Sequence, residues 1–170
     1  MSIILIGMPS CGKSTLGVLL AKRLGYRFVD SDLLIQEREG KLLHEIISES
    51  GVDGFIEIEN AVNSSIDEKR AVIATGGSVI YGEEAMKNLK GLGKVVYLKI
   101  PYEEMRRRLG DFSHRGVVMR NGNTLEEMYA ERAPLYEKYA DITVHCARAP
   151  FEKTIEKIMK ALGEGHSDRS

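Results

Sequence analysis

The 170-residue sequence contains no tryptophan, two cysteines, a formal net charge of only −1, and no long run of apolar residues. Each shortage excludes something. Near-zero net charge leaves no global basic field to hold nucleic acid, and an aromatic content of 6% provides few platforms for stacking bases. Two cysteines, Cys11 and Cys146, are too few for a disulfide framework, and they read as reduced thiols of a cytoplasmic protein. No segment approaches the roughly 18 apolar residues of a membrane span. The opening Met-Ser-Ile-Ile-Leu-Ile has no basic flank and no cleavage pattern, so it reads as a buried strand and not as a targeting signal.

What is present is an ordinary globular composition, 43% apolar and 29% charged, at a length suited to one domain. The expected domain covers 1–162, and the polar stretch 163–170 reads as a flexible tail. Ile3–Ile6 is a continuous apolar run, as in a central parallel strand. Leu16, Leu19, Leu20 and Leu24 follow at helical spacing, with Gly25 as a stop. Further strands are expected at 27–29, 71–74, 95–98 and 142–144. Helices are expected between them: 33–66, broken near Gly40 and at Gly51–Gly54, then 83–89, 102–109, about 125–139 with Thr124 and Glu127 as a capping box, and 151–162. Gly110–Asn123 lacks periodicity and reads as a mobile lid. Alternating strands and helices imply an α/β fold, a parallel sheet of about five strands with helices on both faces.

In such sheets ligands sit beyond the carboxyl ends of the strands. Three of those ends are polar or glycine-rich: Gly7 onward, Asp30-Ser31-Asp32, and Thr75-Gly76-Gly77. Gly7-Met-Pro-Ser-Cys-Gly-Lys-Ser-Thr15 matches the phosphate-binding pattern G-x-x-x-x-G-K-[ST] in full. Gly7, Pro9, Ser10, Cys11, Gly12, Lys13, Ser14 and Thr15 are thus the nucleotide-binding candidates. The glycines let the backbone wrap phosphate with its N–H groups, Lys13 reaches the β- and γ-phosphates, and the Ser14 hydroxyl suits Mg²⁺. The protein is therefore expected to bind ATP with Mg²⁺. Of the acidic pair, one member can join the metal shell while the other orients an acceptor hydroxyl. Alternatively Ser31 or Asp32 caps the helix that follows. Arg106-Arg107-Arg108 can equally be a solvated helix face, and the four histidines show no metal-ligand spacing.

Taken in order, the phosphate loop, Asp30-Ser31-Asp32, Thr75-Gly76-Gly77 and Glu131-Arg132-Ala133-Pro134-Leu135-Tyr136 resemble the shikimate kinase family, from roughly Ile3 to Met159. The resemblance implies the fold of P-loop NTPases of the nucleoside-monophosphate-kinase type. By the same resemblance Asp32 holds the acceptor hydroxyl and acts as base, and Asp30 sits near Mg²⁺ with Ser14. Gly76 and Gly77 let the acceptor approach the backbone, and Arg132 binds its carboxylate. Arg115 closes over the transferring phosphate, Arg108 lies against adenine, and Arg148 belongs to the loop on adenine's other face. The family has an arginine where this chain has Ile56, a third glycine where it has Ser78, and a proline where it has Gly116. Loss of the arginine leaves Glu59 without its nearest cationic neighbour, free to meet an amine or hydroxyl. The expected function is phosphoryl transfer from ATP to shikimate by a monomer. The alternatives are another small hydroxylated acceptor, such as a sugar acid or hydroxy amino acid, or a nucleotide-binding regulator without turnover.

Overall fold

β1 (Ser2–Ile6) is buried at every residue, and so is β3 (Ala71–Ala74). Strands buried on both faces need cover above and below, which parallel strands with helical crossovers provide. The computed structural model describes residues 1–110, 117–120 and 123–164 and has that architecture. Its remaining strands are β2 (Arg27–Asp30), β4 (Gly93–Lys99) and β5 (Ile142–His145). All pair in parallel in the order β2-β3-β1-β4-β5. The helices are α1 (Lys13–Leu24), α2 (Ser31–Glu39), α3 (Leu43–Ser64), α4 (Glu83–Leu92), α5 (Tyr102–Leu109), α6 (Leu125–Tyr139) and α7 (Phe151–Glu164), with a 3-10 turn at Val79–Tyr81.

β1 has β3 on one side and β4 on the other, so the direction of winding reverses beside it. A crevice opens at such a reversal, beyond the carboxyl ends of the strands. Because β2, β3 and β1 are adjacent, the loops after Asp30, Ala74 and Ile6 emerge side by side.

Several boundaries differ from expectation, each for a local reason. α2 starts at Ser31, because Asp30 is its cap: the Asp30 carboxylate accepts the Asp32 N–H at 2.9 Å. Neither Ser31 nor Asp32 is the capping residue. In α3 only Gly51 leaves helical geometry (φ 71°, ψ 176°), whereas Gly54 stays inside the helix. α4 runs on to Leu92, and α7 to Glu164, two residues into the expected tail. Thr124 accepts the Glu127 N–H at 3.1 Å, one half of the expected capping box, while the Glu127 carboxylate accepts from the Thr124 hydroxyl at 3.1 Å. Of the expected lid, 111–116 and 121–122 lie outside the described residues, as does 165–170 of the tail.

α3 carries Glu59 to the crevice, and two asparagine contacts fix it against α4. Gly82 precedes α4 without a capping side chain, and Asn60 supplies one from α3: its Oδ1 accepts the Ala85 N–H at 2.9 Å. A β-carbon at Gly82 would lie 2.4 Å from that oxygen, so glycine makes room for this cap. Asn88 returns the tie, donating to the carbonyls of Asn63 and Ile66 at 2.9 Å each. Losing a cap of this kind costs about 1–2 kcal/mol. Asn60→Ala is therefore expected to lower the thermal midpoint by roughly 2–8 °C. An unchanged midpoint in a calorimetric scan would remove this cap from the account.

Candidate active site

The loop from Gly7 to Gly12 turns through conformations that side chains resist. Gly7 has φ 152°, Ser10 67° and Gly12 97°. At Gly7 a β-carbon would also lie 2.7 Å from the Leu98 carbonyl oxygen and 2.9 Å from Cys11 Sγ, so both conformation and space demand glycine. α1 then begins with no side-chain cap and no acidic residue in its first turn. Its free N–H groups and positive end are left for an outside anion. Lys13 is nearly buried, and its Nζ donates to the carbonyls of Gly7 at 2.8 Å and Met8 at 2.9 Å. The ammonium is thus held inside the loop that would wrap phosphate.

Ser14 and Thr15 are exposed at the start of α1. Ser14 Oγ donates to Asp30 Oδ2 at 3.4 Å, which brings the loop and the end of β2 together. A hydroxyl and a carboxylate are hard oxygen donors. Two of them suit a Mg²⁺ that keeps water and phosphate oxygens for its other positions.

The crevice itself is a cleft of about 360 Å³, whose lining includes Pro9, Lys13, Asp32, Glu59, Gly76 and Arg132. Burial, with the neighbouring Asp30 charge, pushes the Asp32 carboxyl up to about 6 against the opposing pull of Lys13. Glu59 is pushed up to about 7, chiefly by burial; Ser78, which donates to its Oε1 at 2.6 Å, works against the shift. Gly76 is where these two acids approach the backbone. A β-carbon there would meet Glu59 Oε2 at 2.7 Å and Asp32 Oδ1 at 2.9 Å. Gly77 lies between Pro9 and Arg132, whose nearest atoms would be 3.0 and 3.2 Å from an added β-carbon.

Arg132 is 2% exposed despite its charge. Its Nη2 donates to the Val118 carbonyl, its Cζ lies 5.5 Å from the Tyr81 ring centre, and its Nε is buried without a partner. Tyr136, one turn further along α6, donates its hydroxyl to the Gly77 carbonyl and stacks on Tyr97 at 5.1 Å. These contacts hold the Arg132 helix against the glycine pair.

The three consecutive arginines of α5 separate. Arg106 and Arg107 are 64% and 66% exposed, as a solvated face would be, while Arg108 is 24% exposed. Arg108 is held by Glu104 at 2.8 Å, reaches the Ser10 carbonyl at 3.3 Å, and lines the cleft. Arg148 does not join it: it is exposed and lines a second surface cleft with Arg106 and Arg107. Arg115 and His114 lie outside the described residues. Ile56 is half-buried and packs with an apolar cluster that includes Phe55 and Val118. Among the described residues, Arg108 and Arg132 are the arginines of the cleft.

Sequence reasoning missed the Ser78–Glu59 contact. Its one visible signal was Ser78 standing where the resemblance expects glycine.

A glycine-rich phosphate loop, a lysine inside it, a hydroxyl beside an acid at the helix start, and a second buried acid across the cleft define a P-loop kinase. The family described as "Shikimate kinase" matches residues 9–163. The shikimate kinase of Clostridium botulinum (strain Okra / Type B1) is 40% identical over 164 residues, 94% of this chain and 95% of that one. That of Francisella tularensis subsp. holarctica (strain FTNF002-00 / FTA) is 36% identical over 96% of this chain and 95% of its own. In structure, the shikimate kinase from Acinetobacter baumannii in complex with shikimate superposes with a TM-score of 0.86 at 30% identity, covering 96% of this chain and 93% of that one. The chain belongs to the shikimate kinase family.

Two outcomes follow from the geometry around Gly76. Gly76→Ala pushes its new methyl into both carboxylates, and phosphoryl transfer is expected to fall at least tenfold with the fold retained; wild-type turnover would contradict this crowding. The second concerns pH. Glu59 has a folded-state pKa of about 7 against an ordinary 4.5, so the folded state holds its proton more tightly than the unfolded chain. Stability is thus lost as pH rises from about 4.5 to 7, by on the order of 1–3 kcal/mol. Glu59→Gln cannot titrate, and its thermal midpoint relative to wild type is expected to rise between pH 5 and pH 8. A constant difference across that range would show that Glu59 titrates normally.

Proposed function

We propose that the protein transfers the γ-phosphoryl group of ATP to the 3-hydroxyl of shikimate, giving shikimate 3-phosphate and ADP. The observation that carries this reading is the single cleft that joins Lys13 and the phosphate loop to Asp32, Gly76 and Arg132. Family membership and the likeness to a solved relative in complex with shikimate support the choice of acceptor.

In this reading the loop N–H groups and the α1 N-terminus hold the phosphates, and Lys13 leaves its carbonyl partners to bind the β- and γ-phosphate oxygens. Ser14 and Asp30 hold Mg²⁺, which supplies neutralisation of phosphate charge when bound. Arg108 flanks the nucleotide from the Ser10 side. Arg132 takes the acceptor carboxylate, and a charge-assisted hydrogen bond of this type contributes about 1.5–3 kcal/mol. Asp32 orients the 3-hydroxyl. The hydroxyl oxygen attacks the γ-phosphorus, the new O–P bond forms as the bond to the β-phosphate bridging oxygen breaks, and the hydroxyl proton passes to Asp32. Arg115 and Arg148 keep their assignments over the transferring phosphate and the adenine as part of the same proposal.

The protein acts as one domain, 1–162, and as a monomer in the cytoplasm. The free thiols of Cys11 and Cys146 are consistent with a reducing compartment. No described helix is long and apolar enough to cross a membrane. Among the described residues, the exposed large apolar side chains Val18, Leu33 and Phe151 come from α1, α2 and α7.

ADP release with shikimate and MgATP tests the assignment. Turnover is expected with shikimate, with losses of at least a hundredfold in Lys13→Ala and Asp32→Asn. ATP consumption that ignores shikimate, or is indifferent to Asp32→Asn, would overturn it.

A further inference from the structure

Glu59 has no task in the mechanism above, yet it lines the cleft at 1% exposure. Its Oε1 is engaged by Ser78, and its Oε2 is buried without a hydrogen-bond partner. A buried carboxylate oxygen left unpaired is costly, and such a group at a binding cleft calls for a ligand donor. Oε2 is also the atom that would lie 2.7 Å from a β-carbon on Gly76, beside Asp32 Oδ1 at 2.9 Å. The free oxygen of Glu59 and the oxygen of the proposed base therefore lie against the same glycine.

Two departures from the family pattern meet at this point. Ile56, one turn before Glu59 on α3, places an apolar side chain in the cluster of Phe55 and Val118, so α3 brings no guanidinium to Glu59. Ser78 supplies a hydroxyl where the resemblance expects glycine, and its φ of −97° is open to any residue. The remaining groups that act on Glu59 are Asp32 from α2, Lys13 from α1 and Arg132 from α6. None of them is hydrogen-bonded to Oε2.

We propose that Glu59 is an acceptor-binding residue whose Oε2 accepts a hydrogen bond from the acceptor hydroxyl adjacent to the reacting one, and that Ser78 is a positioning residue that turns Oε2 toward it. Asp32 and Glu59 then read a vicinal pair of hydroxyls. The inference rests on the shikimate reading above. Specificity shifts accordingly: an acceptor lacking the second hydroxyl leaves a buried carboxylate oxygen unpaired, which a site of this kind penalises strongly.

The test compares kcat and KM for shikimate and 4-deoxyshikimate in wild type, Glu59→Ala and Ser78→Ala. In wild type the deoxy acceptor is expected to show a KM raised at least about tenfold. Glu59→Ala should raise the shikimate KM by a similar factor, with a much smaller change in kcat, and add no further loss on the deoxy acceptor. Ser78→Ala should raise the shikimate KM by a smaller factor, and Ser78→Thr should restore it. Equal KM for the two acceptors in wild type would overturn the proposal without recourse to any variant. So would a Glu59→Ala defect of the same size on both acceptors, which marks a merely structural role. Absence of shikimate turnover by wild type would instead defeat the functional assignment on which the inference rests.

Discussion

Parallel pairing of β1 with β3 on one side and β4 on the other governs where chemistry can occur in this protein. With apolar strands covered on both faces, the sheet interior has no room for charge, and the polar residues that interrupt the strand pattern collect at the carboxyl ends. Gly7, Asp30 and Thr75 mark three such ends, and the order β2-β3-β1 makes them neighbours. Thr75 also closes this edge, donating its hydroxyl to the Leu5 carbonyl at 2.8 Å. The helices then serve as levers: α1 brings its N-terminus and Lys13, α2 brings Asp32, α3 brings Glu59, and α6 brings Arg132.

The cleft that results is an electrostatic compromise. Asp32 and Glu59 are both pushed toward the neutral form by burial, while Lys13 pulls both, and Arg132 pulls Glu59, toward the charged form. Four ionisable groups thus line one cleft. Placing them so costs stability, since each buried charge must find a partner or take a proton. The unpartnered Arg132 Nε and Glu59 Oε2 show where that cost is concentrated. Both atoms belong to residues that line the cleft, and both are suited to groups that a hydroxylated carboxylate acceptor carries.

Much of this was legible along the chain, because its causes are local. The phosphate loop is a contiguous segment whose glycines answer to its own backbone angles, and its motif is complete without reference to the rest of the molecule. Apolar runs, helical spacing, the Thr124 cap and the strand ends likewise depend on neighbours a few residues apart. Asp30 was legible as part of a pair; its capping role was not, because the helix starts earlier than the apolar spacing suggests and Ser31 or Asp32 stood as the alternative cap. The 3-10 turn at Val79–Tyr81 carries no such periodicity and did not show in the sequence.

By itself the sequence determined the parallel α/β class, the phosphate-binding loop and the residue types at each strand end, since these follow from short-range pattern and backbone geometry. Tertiary structure alone decided which charges work together. Arg108 differs from Arg106 and Arg107 by the direction in which α5 presents it, toward Ser10, and nothing in three consecutive arginines encodes that direction. Ile56 and Ser78 read as two separate departures from a family pattern. Only the packing of α3 against the 3-10 turn Val79–Tyr81 reveals that Ser78 engages Glu59 while Ile56 turns away. The reason is physical: a hydrogen bond between residues nineteen positions apart depends on how two elements dock, and docking is set by the whole core.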